Sequence, residues 1–169
     1  IWFATNNGIS VYFPKQDRWE SYLSSYDIDK DINNHMFLTI NEVRPGIVWA
    51  GGYSSGLYEI NKSTKRHKLL LSNEKEQISE PDKCIRAILK GTNQSIWVGG
   101  YYNLRQIDPE KMQIRYFNNI SAITSLEEMN ESNLWIGTSK GLFLLDKTNG
   151  NSRHINLPTS NPSVNVLYQ

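Results

Sequence analysis

The chain carries a single cysteine, Cys84, so no intrachain disulfide can form. Its three histidines are scattered, with no carboxylate at metal-ligand spacing, and make no zinc signature. No apolar run approaches the roughly 18 residues that a membrane-spanning helix requires. A net charge of +1 leaves no field to hold nucleic acid or an anionic membrane surface. Hydrophobic residues at 38% and charged residues at 21% fit a soluble globular class. What the sequence has in abundance is repetition.

Four phrases share one pattern: "IWFATNNGISVYF" from Ile1, "VWAGGYSSGLYEIN" from Val48, "IWVGGYYNLRQID" from Ile96 and "LWIGTSKGLFLLD" from Leu134. Their tryptophans, Trp2, Trp49, Trp97 and Trp135, are 47, 48 and 38 residues apart. Nine and twelve residues before three of them stand paired apolar residues: Ile40 and Phe37, Ile88 and Ile85, Leu126 and Ile123. Downstream, each copy carries an arginine followed by a ring: Arg18-Trp19, Arg66-His67, Arg115-Tyr116 and Arg153-His154.

The fourth copy divides into Ser121–Glu127, Asn133–Gly137, Gly141–Asp146 and Asn151–Ile155, separated by Asn, Ser and Gly turn residues. Segments this short and this rich in Ile, Leu, Val and aromatics read as strands. Four strands per repeat of about 40–45 residues is the period of a β-propeller blade. The expected fold is therefore all-β, a β-propeller fragment of about four blades of four antiparallel strands each, here lettered A to D with the Trp on strand B. The 169 residues form one propeller segment with repeats at 1–24 (strands B–D), 35–72, 84–118 and 121–157, and strand A of a further blade at 163–169. Gly8, Gly56 and Gly141 open strand C, where a tight B–C turn calls for positive φ; Asn103 stands in for glycine in the third copy. The four tryptophans read as blade-to-blade core, each hiding roughly 150–250 Å² if fully buried.

"NLWIGTSKGLFLLDKTNG", Asn133 to Gly150, resembles the two-component regulator propeller repeat, and the likeness extends over essentially the whole chain. The second and third copies depart from it with Gly-Gly-Tyr and Gly-Gly-Tyr-Tyr after the Trp. The resemblance implies the periplasmic sensor part of a bacterial hybrid histidine kinase. Such sensors recognise glycan fragments and signal through a membrane segment of an inner-membrane parent. It further implies an oligosaccharide ligand, no cofactor, and no direct membrane contact by this segment. The chain opens inside a repeat and closes on a strand-A pattern. Its partners are thus expected to be the remaining blades of the parent or a second copy.

Catalytic-looking signals have plainer readings. "GYSSG", Gly52 to Gly56, matches G-x-S-x-G, but that elbow needs a following helix, and "LYEIN" reads as a strand. "DIDKD", Asp27 to Asp31, lacks the Gly and Glu that a calcium loop needs, since Ile32 and Leu38 stand at those positions. Glu127 and Glu128 are adjacent on a strand and point to opposite faces, so they cannot form a glycosidase pair by themselves. Cys84 reads as a buried structural thiol at the start of a strand. No catalytic residue or metal ligand is expected. A propeller lyase or hydrolase, and a protein-interaction scaffold, stand as alternatives to the sensor.

In a propeller the B–C and D–A connections share one face. Tyr53, Tyr101 and Tyr102 lie in equivalent B–C turns, and the D–A connections after the first and second blades are long. The expected ligand site is this face. The three tyrosines would stack on sugars, while Asn6, Asn7, Asn103 and Arg105 supply hydrogen bonds. If instead the tyrosines pad the blade-to-blade packing, they must be buried.

Overall fold

The computed structural model describes residues 1–24, 36–71, 83–160 and 162–168. Among these residues fifteen strands form four antiparallel sheets, each built from strands consecutive in sequence. The first contains β1 (Trp2–Thr5), β2 (Gly8–Phe13) and β3 (Arg18–Tyr22), with a 3₁₀ turn at Pro14–Gln16. The second contains β4 (Phe37–Arg44), β5 (Ile47–Gly52), β6 (Leu57–Asn61) and β7 (His67–Leu71). The third contains β8 (Ile85–Lys90), β9 (Ile96–Gly100), β10 (Leu104–Ile107) and β11 (Ile114–Phe117). The fourth contains β12 (Ile123–Glu128), β13 (Asn133–Thr138), β14 (Gly141–Asp146) and β15 (Ser152–Ile155). This is the expected all-β propeller segment of about four blades.

The repeat tryptophans share one register. Trp2 lies opposite Val11, Trp49 opposite Glu59, Trp97 opposite Gln106 and Trp135 opposite Leu144. Trp49 and Trp97 are fully buried, and Trp2 and Trp135 are partly so. Two residues beyond three of the tryptophans stand Gly51, Gly99 and Gly137. Any side chain there would collide with the first apolar residue of the following strand-A segment: Ile85, Ile123 and Val164 respectively. The glycine of "W-x-G" is therefore a socket for the next repeat.

The chain divides into two compact units, Ile1–Ile85 and Arg86–Gln169. In the first, Ile9, Val11 and Tyr22 of the first sheet pack with Phe37, Val48 and Ile60 of the second. In the second, Trp97, Leu104 and Phe117 of the third sheet pack with Ile123, Leu134 and Leu145 of the fourth. At about 25 cal/mol per Å² of apolar area, a fully buried tryptophan contributes on the order of 4–6 kcal/mol to such a core as an upper limit.

Gly8, Gly56 and Gly141 have φ of 87°, 81° and 133°, as the B–C turns demand. Asn103 differs: it is not among the positive-φ residues. The turn it closes is one residue shorter than its counterpart in the second sheet. The Gly100 N–H donates to the Asn103 carbonyl, whereas the Gly52 N–H donates to that of Gly56, both at 3.0 Å. The shorter loop closes without a left-handed residue at that position.

The segment 162–168 has no strand ladder. Val164 sits in the Gly137 socket, and its N–H donates to the Thr138 carbonyl at 3.0 Å. Its carbonyl accepts from the Thr124 hydroxyl. A strand needs a partner along its length, and these bonds anchor one residue only.

Candidate ligand-binding face

Backbone hydrogen bonds tie the B–C turns of the second, third and fourth sheets to the D–A connections and so place both at one end of those sheets. The Tyr53 N–H donates to the Met36 carbonyl at 2.9 Å, and the Gly56 N–H to that of Lys83 at 3.0 Å. In the second unit the Ala122 N–H donates to the Tyr101 carbonyl at 2.6 Å, and the Ala122 carbonyl accepts from the Ser139 N–H at 3.1 Å.

Two of the turns are built alike. In Thr5-Asn6-Asn7-Gly8 and Thr138-Ser139-Lys140-Gly141 the threonine hydroxyl donates to the glycine carbonyl at 2.9 Å. That hydroxyl also accepts the N–H of Asn7 at 3.1 Å and of Lys140 at 3.0 Å. Threonine thereby satisfies the turn's backbone and leaves the two central side chains pointing outward. Asn6, Asn7, Ser139 and Lys140 are all exposed.

The tyrosines are exposed too: Tyr53 at 55%, Tyr101 and Tyr102 at 48% each. They are not padding between blades. Tyr101 and Tyr102 stand edge to face with ring centroids 5.0 Å apart, a geometry favoured by the ring quadrupoles. Asn103 and Arg105 lie behind them, 8% and 1% exposed. The Arg105 guanidinium lies 5.9 Å from the ring centre of Tyr116. The seven residues singled out from the sequence thus divide into five exposed and two buried. They also fall on both units: Asn6, Asn7 and Tyr53 on the first, the other four on the second.

The shifted titrating groups lie elsewhere. Lys65 and Arg18 hold the Glu20 carboxyl down at about 2 from its ordinary 4.5. Burial, and then Glu20 itself, push the Tyr22 hydroxyl up to about 12. These two residues line a groove of about 300 Å³ with Ser21, Lys65 and His67. Backbone N–H donors hold Asp108 and Asp146 below the usual carboxylate range, chiefly those of Lys111 and Thr148. Both close C–D turns, so their shifts reflect turn chemistry rather than catalysis.

Sequence reasoning missed a buried ion pair. Lys147 Nζ lies 2.6 Å from Glu128 Oε1, with both side chains at most 10% exposed. Glu128 Oε2 accepts the Thr92 N–H at 2.8 Å and so reaches the turn between β8 and β9. The second sheet pairs Lys62 with Glu42 too, there at an exposed position. Glu42 and Glu128 each stand seven residues before their tryptophan, a signal visible in the sequence. "GYSSG" is followed by β6, not a helix, which removes the elbow reading. "DIDKD", His35 and most of both long D–A connections lie outside the described residues. Among the described residues no group of His, Cys, Asp and Glu could hold a metal. Cys84 is buried. Among those residues, too, no helix is long and apolar enough to cross a membrane.

No protein-family model matches the chain, and no curated protein matches it. Among solved structures it is similar to the extracellular domain of a B. thetaiotaomicron protein described as a hybrid two-component system. The identity is 22% over 96% of this chain and 21% of that one, with a TM-score of 0.74. Two structures of another extracellular domain from that organism cover 99% of this chain and 23% of theirs at 20% identity. One describes it as a one-component system and the other as a hybrid two-component system, with TM-scores of 0.81 and 0.80. The fold is the one the repeat implies. An ancestral GH74 enzyme is similar as well, at 13% identity over 96% of this chain and 23% of that one, with a TM-score of 0.69. The chain spans about a fifth of the length of the extracellular domains, and identities of this size speak to the fold alone.

Proposed function

We propose that the chain is a non-catalytic, glycan-sensing propeller segment of a hybrid two-component sensor kinase, held in the periplasm by an inner-membrane parent. The observation that carries the ligand class is the exposure of Tyr53, Tyr101 and Tyr102 on B–C turns. Aromatic rings half open to solvent, on turns fixed by backbone bonds, suit the C–H faces of sugars. Asn6 and Asn7 add amides that can both donate and accept. Asn103 and Arg105 offer a ligand little surface and serve from behind the turn. Similarity to extracellular domains of two-component systems supports the sensor role and its place outside the cytoplasm.

A thermal-shift screen of oligosaccharides on the intact protein tests this. A ligand at about 100 times its Kd stabilises the native state by roughly 2.7 kcal/mol, a clear rise in melting temperature. Tyr102→Ala should remove most of that rise. A screen in which no oligosaccharide shifts the protein overturns the ligand class. Turnover of a polysaccharide by the purified protein would replace sensing with catalysis.

A further inference from the structure

The carboxylates of the second unit are gathered at one end, where Lys90, Lys111 and Lys147 also lie. Its side-chain carboxylates among the described residues are Asp108, Glu110, Glu127, Glu128, Glu131 and Asp146. All of them stand on C–D turns, on the β12–β13 turn, or on the strand ends running into those turns. The opposite end holds the Tyr101–Tyr102 pair, Lys140 in the β13–β14 turn, and Arg86, the second residue of β8. Lys140 and Arg86 are exposed, and neither makes an ion pair with another described residue.

Strands of six residues such as β13 separate the two ends by about 20 Å at roughly 3.3 Å per residue. The Debye length at physiological ionic strength is about 8 Å. Repulsion from the distant carboxylates is therefore screened at the tyrosine end, while the Lys140 ammonium acts there directly. The turn that carries Lys140 is also tied to the turn that carries the rings. Ala122 bonds both turns, to the Tyr101 carbonyl on one side and the Ser139 N–H on the other. It does so with a left-handed φ of 54°, a conformation costly for a residue with a Cβ.

We infer that this end of the second unit selects anionic glycans: a sugar stacks on Tyr101 and Tyr102 while a carboxylate or sulfate that it carries meets Lys140. The inference rests on the glycan-sensing reading and narrows it. A neutral sugar gains only the stacking; an acidic one adds a charge-assisted hydrogen bond.

The test uses the intact protein and oligosaccharides in matched sets: a uronic-acid oligomer, its carboxyl-reduced neutral counterpart, and that neutral sugar O-sulfated. Titration calorimetry should show an acidic member binding about tenfold or more tighter than its neutral partner. That preference should collapse in Lys140→Gln, while Tyr102→Ala weakens acidic and neutral members alike. Raising salt from 50 to 500 mM should weaken only the acidic members. Tight uronate with weak sulfate, or the reverse, identifies the anionic group and supports the proposal either way. Neutral members that bind as well as acidic ones, or a preference that survives Lys140→Gln, overturn the charge selection and leave glycan sensing standing. Binding by no member overturns glycan sensing and the selection together.

Discussion

Trp49 and Trp97 occupy the same register position and are equally buried, yet their indoles have different surroundings. Trp49 Nε1 donates to Glu59 Oε2 at 3.1 Å. The cross-strand neighbour of Trp97 is Gln106, whose amide donates to Ser95 Oγ at 3.1 Å, and Trp97 Nε1 has no acceptor. A hydrogen bond to a charged acceptor is worth about 1.5–3 kcal/mol, and an unsatisfied buried donor costs about 1–3 kcal/mol. Both indoles lose similar volume on replacement by phenylalanine. Trp49→Phe should therefore destabilise more than Trp97→Phe, by about 1.5 kcal/mol or more in chemical denaturation; equal losses would contradict the hydrogen-bond account. Glu20 gives a pH signature. Its carboxyl is depressed to about 2 from 4.5 by Lys65, 2.6 Å away, and then by Arg18. Stability from this network is whole above pH 4.5 and is lost as pH falls toward 2. The groove is open to water, which screens the effect. The stability gap between the native protein and Glu20→Gln should be flat from pH 5 to 7 and shrink between pH 4.5 and 2. A gap that stays constant down to pH 2 would exclude Glu20 from the network. Neither contrast is visible in the chain, because the deciding partners come from elsewhere in it: Glu59 from the neighbouring strand for Trp49, and Lys65 from the second sheet for Glu20.

Between elements, the sockets decide how sheets meet. A Cβ at Gly99 would lie 2.5 Å from Ile123 Cγ2. Ile123 is fully buried and β-branched, so it has few rotamers with which to yield. Gly99→Ala should cost about 1–3 kcal/mol by overpacking. Adding Ile123→Ala should cost less than the two single changes combined, since the first change has already forfeited that contact. Strict additivity in the double-mutant cycle would show that the two residues do not meet. The strands that make these contacts were legible because alternating apolar residues and Gly/Asn turns mark them: Asn133–Gly137 was expected and Asn133–Thr138 is found. The outer strands are less legible. The arginine-ring pairs align in sequence but not in space. Trp19 and His67 lie opposite Tyr12 and Ile60, one residue past the partner of the repeat tryptophan. Tyr116 and His154 lie opposite Arg105 and Phe143, one residue before it. A shift of two residues keeps every ring on the same face, so the pattern survives while the register does not. The candidate site was half legible for a similar reason. Turn position gave the exposure of Tyr53, Tyr101 and Tyr102, but Arg105, on strand β10, has its direction set by sheet parity and is buried by it.

At the scale of the whole chain, each sheet is a small antiparallel unit made from consecutive strands, and within each unit neighbouring sheets pack into one core. In such arrays stability is approximately a sum of repeat terms and nearest-neighbour interface terms. A perturbation then decays along the chain rather than spreading evenly. Gly99→Ala strikes the junction of β9 with β12, inside the second unit. Native-state hydrogen exchange of this variant should show the greatest loss of protection in β9, β10, β12 and β13. Strands β1 and β2, two sheets earlier in sequence, should hold protection close to that of the unaltered protein. On the proposed sensing role, the same variant also tests transmission. If ligand binding at the tyrosine turns is transmitted by rigid stacking of repeats, every junction must stay intact, and a loosened β9–β12 junction would couple poorly to the rest. If all fifteen strands instead lose protection together, the chain unfolds as one cooperative body, and local wear at a single socket cannot be confined to the second unit.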